Sequence, residues 1–181
     1  MHGTEAPALW IQHWAHLIPP GSRVLDLACG AGRHMHCLHQ RGHRPLGVDR
    51  SEEALKAASA WGDTLLADLE NGPWPLQGQQ FGAVVVTHYL WRPLWTRITD
   101  SVQPGGVLLY ETFAQGHETV GRPSRADFLL APGELLQVAA QAGLRVIAYE
   151  DGFLPEPARF VQRMAAVREP AGAGPARWPL S

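Results

Sequence analysis

Much of what this 181-residue chain can do is bounded by what it lacks. No apolar run approaches the roughly 18 residues that a membrane-spanning helix needs, so no membrane partner is expected. Cysteine is scarce: Cys29 and Cys37 lie in one short segment, make a poor bridge, and fit a reducing cytoplasm. Residues 1–7 show no basic stretch followed by an apolar core, which argues against a signal peptide. The net charge is −2, so no broad positive field favours nucleic acid. No internal repeat is evident. The length fits one domain, 1–168, and the Ala-, Gly- and Pro-rich stretch 169–181 is expected to be a flexible tail.

What is present centres on Arg23-Val24-Leu25-Asp26-Leu27-Ala28-Cys29-Gly30-Ala31-Gly32-Arg33-His34. Val24 to Leu27 reads as a strand buried on both faces, as in a parallel sheet. Gly30 and Gly32 then supply a tight turn and let a ligand approach the backbone. The helix that follows turns its unpaired N–H groups toward that ligand. A dinucleotide fingerprint would need a third glycine, but Arg33, His34 and Met35 follow Gly32. No lysine followed by Ser or Thr completes a P-loop, which disfavours phosphate cradling of ATP or GTP. Instead Asp26 sits inside the strand, and Gly47-Val48-Asp49-Arg50-Ser51 forms a second strand that ends in an acid. A carboxylate there can accept from both hydroxyls of a ribose.

With these residues in view, the segment resembles motif I and the acidic loop of class I S-adenosylmethionine-dependent methyltransferases, whose common form is D-x-x-C-G-x-G. The resemblance spans residues 23–167. It implies a Rossmann-like α/β fold: a seven-stranded, mostly parallel sheet in the order 3-2-1-4-5-7-6, helices on both faces, and an antiparallel last strand pair. It also implies S-adenosyl-L-methionine as cofactor, bound by Asp26, Ala28, Cys29, Gly30, Gly32, Asp49, Arg50, Asp68, Leu69 and Thr87. Asp68 would take the adenine amino group and Leu69 flank the ring. Arg33 and His34, at the helix start, are placed to meet the methionine carboxylate. A thiol at a helix start would ordinarily have a lowered pKa, but the family position of Cys29 points to turn geometry.

The remaining elements follow by pattern. Residues 8–18 read as a helix whose Trp10 and Trp14 share a face, either packing on the sheet or forming a lid. Helices are expected over 32–41, 51–60 and 132–142, with Ser51 an N-cap and Gly42 and Gly143 C-terminal stops. Strands are expected over 45–49, 63–68, 81–87, 107–113, 144–150 and 159–167, alternating with helices until the final pair. His36, His39 and His43 lie near one another, yet Gly42 breaks the helix and no carboxylate joins them, so no metal is expected.

Ligands in such sheets bind outside the carboxyl ends of the strands, which directs attention to Thr87, His88, Tyr89 and Trp91. Nucleic-acid amino methyltransferases usually show N/D-P-P-Y/F at this place, and Thr87-His88-Tyr89-Leu90 does not match it. Tyr89-Leu90-Trp91-Arg92-Pro93-Leu94, Leu109-Tyr110-Glu111-Thr112-Phe113, Arg122-Pro123 and Phe128-Leu129-Leu130 resemble the tellurite-resistance-type small methyltransferases. The expected acceptor is a small molecule such as an oxyanion or thiol. His88 and Glu111 are candidate bases, Tyr89 a wall or hydrogen-bonding residue, and Arg122, Arg125 and Arg92 candidate anion holders; His117 is a further possible base. A non-catalytic cofactor-binding module and an NAD-dependent reductase remain alternatives, and the chain is expected to be a monomer or homodimer.

Overall fold

The computed structural model describes residues 6–172, 174 and 176–180. Seven strands form one sheet: β1 (Arg23–Leu27), β2 (Arg44–Asp49), β3 (Asp63–Leu66), β4 (Phe81–Thr87), β5 (Val102–Phe113), β6 (Arg145–Pro155) and β7 (Ala158–Val167). Their order is β3-β2-β1-β4-β5-β7-β6. All neighbours from β3 to β5 are parallel, whereas β7 runs antiparallel to both β5 and β6. Five α-helices accompany them: α1 (Leu9–Trp14), α2 (Arg33–Gln40), α3 (Glu52–Ala58), α4 (Trp95–Asp100) and α5 (Glu134–Gln141).

The central strands owe their place to burial on both faces. Every residue of β4 is buried. Val84 and Val86 pack with Leu25, Leu27, Leu108 and Tyr110 on one side. Ala83 and Val85 pack with Trp10, Ile11, Trp14 and Leu109 on the other. Each buried valine contributes about 1.5–3 kcal/mol, so β4 is a main anchor of the sheet. Trp10 and Trp14 therefore serve the second core layer, their rings 5.6 Å apart.

Several elements differ from the pattern-based expectation. The helix expected over 8–18 is a short α1 followed by a 3-10 turn, Ala15–Leu17, before Pro19 stops it. Between β3 and β4 the alternation of strand and helix lapses, and the segment that holds Asn71-Gly72-Pro73-Trp74-Pro75, whose composition reads as a loop, is turn-rich, with Leu69 and Leu76 filling the core layer from it. Strand β5 begins at Val102, earlier than expected, because Phe81 N–H bonds the Ser101 carbonyl and Gly105 N–H the Arg168 carbonyl. The β6–β7 hairpin is also longer than expected at its turn.

The loop after β5 is structured. It holds 3-10 turns at His117–Thr119 and Ala126–Phe128 and a bridge between Ala114 and Leu130. Arg92 clamps its far end, donating to both carboxylate oxygens of Glu134 at 2.7 and 2.9 Å and to the carbonyls of Asp127 and Leu129. Residues 1–5, on which much of the signal-peptide reading falls, lie outside the described residues, as do 173, 175 and 181 of the expected tail. Within that tail, Trp178 packs on the second core layer, and a His16 ring nitrogen lies 3.0 Å from the Pro179 carbonyl.

Gly32 shows how tightly the first turn is held. It caps α2 at φ +82, and a Cβ there would stand 2.9 Å from the Cα and Cβ of Ala58 in α3. Gly30 has φ +54 with nothing within 4 Å. Gly32→Ala is therefore expected to destabilise by about 3 kcal/mol, from left-handed strain plus overpacking. Gly30→Ala should cost only about 1 kcal/mol. Thermal unfolding checks the contrast: the first variant melts roughly 10 °C low and the second a few degrees low.

Candidate active site

The parallel strands end along one edge of the sheet, and chain order reverses between β1 and β4, where a crevice forms. Two non-glycine residues with positive φ flank it: Ala28 at 53°, just after β1, and His88 at 52°, just after β4. Such backbone strain clusters at functional sites. The glycine turn closes with Gly32 N–H on the Cys29 carbonyl at 3.0 Å. Asp49 pins that turn from the neighbouring strand. Its Oδ2 accepts from Gly30 N–H and its Oδ1 from Ser51 N–H, both at 2.9 Å. One carboxylate thus ties the ends of β1 and β2, with lone pairs left for a ligand.

A first chamber of about 200 Å³ lies over this tie, lined by Ala28, Asp49, Arg50, Ala67, Asp68, Leu69, Glu70 and Tyr89. Asp68 accepts from the N–H groups of Glu70 and Asn71 and from the Asn71 side-chain amide. These bonds hold its carboxyl below the usual range. Tyr89, expected beside the acceptor, lines this first chamber instead. The carbonyl of Tyr89 accepts from Tyr110 Oη–H at 2.9 Å, which fixes its backbone.

A second chamber of about 910 Å³ opens on the other side of Ala28. Arg33, His34, Thr87, His88, Phe113, His117, Arg122 and Arg159 line it. One wall is a ladder of rings: His88 stacks on Phe113 at 4.8 Å, and Phe113 on His117 at 4.3 Å. The Arg33 guanidinium approaches His88 Nδ1 at 3.4 Å, and His117 Nε2 lies 3.0 Å from the Arg122 carbonyl. His34 is buried; it accepts from Ala8 N–H at Nε2, 3.1 Å away, and its Nδ1 lies 3.4 Å from Thr87 Oγ1. Burial, Arg33 and His88 push its pKa down to about 3, so the ring is neutral and does not meet an anion as a cation.

Arg159 was not anticipated from the sequence. It reaches the chamber from the start of β7, and only the antiparallel pairing of β7 on β5 brings it there. Behind it Glu111 is 1% exposed, with Arg159 Nη2 at 3.9 Å and Arg163 Nη1 at 3.6 Å. Arg163 also covers the Trp10 ring at 4.8 Å. Arg125 lines neither chamber; it is exposed and paired with Asp127 at 2.7 Å. Arg92 is engaged in the loop clamp described above.

Asp26 sits on the sheet face that carries Thr87 and Glu111, 1% exposed, with no hydrogen-bond partner for either carboxylate oxygen among the described residues. Burial raises its pKa to about 7, opposed by the Arg33 charge and reinforced by Asp49. A desolvated acid beside a glycine cradle fits a ligand that brings a positive charge. Cys29 is driven the other way from a reactive thiol: burial first, then Asp26 and Asp49, push its pKa up. His36 stacks on Trp61 at 3.8 Å. Among the described residues no three His, Cys, Asp or Glu side chains gather as a metal site, and no helix is long and apolar enough to cross a membrane.

Residues 24–106 match the family described as methyltransferase domain. No curated protein matches the chain. Among solved structures, TehB from Haemophilus influenzae superposes with a TM-score of 0.68 at 21% identity, over 86% of this chain and 60% of that one. The chain thus spans about three-fifths of the length of TehB. A TehB-like S-adenosylmethionine-dependent methyltransferase from Corynebacterium glutamicum gives 0.62 at 19% identity, covering 87% and 88%. The glycopeptide N-methyltransferase MtfA, solved also in complex with sinefungin, gives 0.63 in that complex at 18% identity, covering 94% and 90%. At these identities the likeness is one of fold.

The Asp26 environment makes a pH-dependent prediction. In the unfolded chain the group ionises near 3.8, whereas in the folded chain it keeps its proton to about 7. Folding is therefore disfavoured progressively as pH rises from 4 to 7, by at most about 4 kcal/mol. Asp26→Asn should gain on the parent by up to that amount between pH 4 and pH 8. Thermal melts of the unliganded proteins at the two pH values read the difference.

Proposed function

From a chain that carries a class I S-adenosylmethionine-dependent methyltransferase domain over its strand–turn–helix core, we propose methyl transfer from S-adenosylmethionine to a small anionic acceptor, an oxyanion or a thiolate. The observation that carries this reading is the pair of chambers meeting at Ala28, one acid-lined and the other bordered by arginines.

The first chamber suits adenosine. Asp49, oriented by Gly30 and Ser51, accepts from the ribose hydroxyls, while Asp68 takes the adenine amino group and Leu69 and Tyr89 flank the ring. The buried Asp26 supplies negative charge beneath the cationic end of the cofactor. The bound cofactor brings a sulfonium-activated methyl group. The protein's part is then to align the acceptor with that methyl and exclude water, which can be worth roughly 7–11 kcal/mol.

In the second chamber Arg122 and Arg159 hold the acceptor's charge, and Glu111 anchors Arg159 from behind. With Arg33 donating to Nδ1, a neutral His88 keeps its proton on Nε2. His88 is thus a hydrogen-bond donor to the acceptor. Neither it nor Glu111 is needed as a base when the nucleophile arrives ionised. Arg125, outside the chamber, has no part in this reading.

Two measurements test the proposal. Asp49→Ala is expected to weaken S-adenosylhomocysteine binding by roughly 2–4 kcal/mol in calorimetry, the loss of two charge-assisted bonds counted less than additively. Unchanged affinity would remove the cofactor assignment. Incubation with methyl-labelled cofactor and a panel of oxyanions, thiols, phenols and amines is expected to label an anionic member. Arg159→Gln should then raise KM for that acceptor about tenfold or more while leaving S-adenosylhomocysteine affinity intact. Labelling confined to the amines would refute the acceptor class.

A further inference from the structure

The hydrogen bonds around His34 fix more than its burial. The Ala8 backbone N–H can only donate, so His34 Nε2, 3.1 Å away, must present a lone pair. A neutral ring then carries its proton on Nδ1, which faces Thr87 Oγ1 at 3.4 Å. The Thr87 oxygen accepts that proton's bond and keeps its own hydroxyl proton to give away. Thr87 ends β4 and borders the second chamber, as Arg33 does. A cofactor with its adenosine in the first chamber passes its amino-acid arm across Ala28 into this one, where a carboxylate accepts from a hydroxyl and a guanidinium together.

We propose that His34 is a positioning residue. Locked in one tautomer by the Ala8 amide, it turns the Thr87 hydroxyl toward the carboxylate of the cofactor's amino-acid arm. The inference rests on the reading that the cleft holds S-adenosylmethionine. It makes the N-terminal segment, remote in sequence from every ligand-binding motif, part of cofactor recognition. The ring keeps this neutral form at physiological pH, because burial and the nearby Arg33 and His88 disfavour a second proton.

The backbone at Ala8, φ −55 and ψ 132, lies in the range that proline adopts. Ala8→Pro removes that N–H donor and sets a ring carbon where its hydrogen stood, which breaks the contact to His34 Nε2, whereas replacing the buried His34 risks the fold. Two probes separate the ends of the cofactor: S-adenosylhomocysteine, which has the amino-acid arm, and 5′-methylthioadenosine, which lacks it. Calorimetry on the whole chain is expected to show Thr87→Val binding S-adenosylhomocysteine about tenfold more weakly. Thr87→Ser should restore most of that loss. Ala8→Pro should bind it about threefold more weakly, with no further loss when combined with Thr87→Val. Methylthioadenosine should bind all variants within about twofold of the parent, which also shows that they are folded.

Equal weakening of both probes, or unchanged S-adenosylhomocysteine affinity in Thr87→Val or in Ala8→Pro, would overturn the inference while leaving the cofactor assignment standing. Failure of the parent chain to bind either probe would overturn the assignment and the inference together.

Discussion

A desolvated carboxylate beside a strained backbone turn is the constraint around which the molecule is arranged. Asp26 is buried without a partner, and Ala28 and His88 hold left-handed conformations that side chains rarely adopt. Each strained residue costs about 1–3 kcal/mol. The buried acid adds a few more at neutral pH. Such a set persists only where surrounding structure over-determines it. Here that structure is the pair of central strands, β1 and β4, covered on both faces by apolar side chains. The burial that makes the sheet rigid also fixes where its strands end, and the strained residues sit at those ends. A bound cation-bearing ligand would relieve the Asp26 penalty, so the apo crevice is least stable where it is best prepared to bind.

The two chambers divide the work by charge. Acids from the tips of β2 and β3 face the first, and arginines from α2, from the loop after β5 and from β7 border the second. Ala28 borders both. In the proposed reading, an acceptor drawn by the arginines meets the side of the crevice opposite the adenosine. That placement is what alignment of a nucleophile with a methyl group requires.

How much of this was legible in the sequence depended on how local each cause was. Strand β1, the Gly30–Gly32 turn and the Ser51 N-cap follow from turn chemistry within a few residues and are legible in the chain, whereas the tie from Asp49 to Gly30 spans two strands and is not. The sheet order came with the family resemblance. Three features needed tertiary structure. Arg159 enters the cleft only because β7 pairs antiparallel to β5 and its hairpin overhangs the edge. Tyr89 lines the first chamber, and its backbone is tied to Tyr110. Cys29, at a helix start, resembles an activated thiol in sequence, but burial and two neighbouring carboxylates outweigh the helix end. His34 carries the same lesson, since a histidine at a helix N-terminus suggests an anion site until its burial and its bond to Ala8 are known.

Glu111 is the residue whose chemistry the fold changes most. In sequence, an acid at the tip of a central strand invites the role of general base. In the structure its carboxylate faces the guanidinium groups of Arg159 and Arg163, at 3.9 and 3.6 Å, and among the described residues no N–H or O–H donates to it. A buried ion pair of this kind adds little net stability over apolar packing of the same volume. Its value must lie elsewhere. Arg163 is already held by Glu150 and by the face of Trp10, whereas no other carboxylate pairs with Arg159 among the described residues. Without Glu111, Arg159 would have no carboxylate to hold it and could extend into solvent; with it, the guanidinium stays at the chamber wall. In the proposed reading the acid acts on the acceptor through an arginine, and proton abstraction is not asked of it.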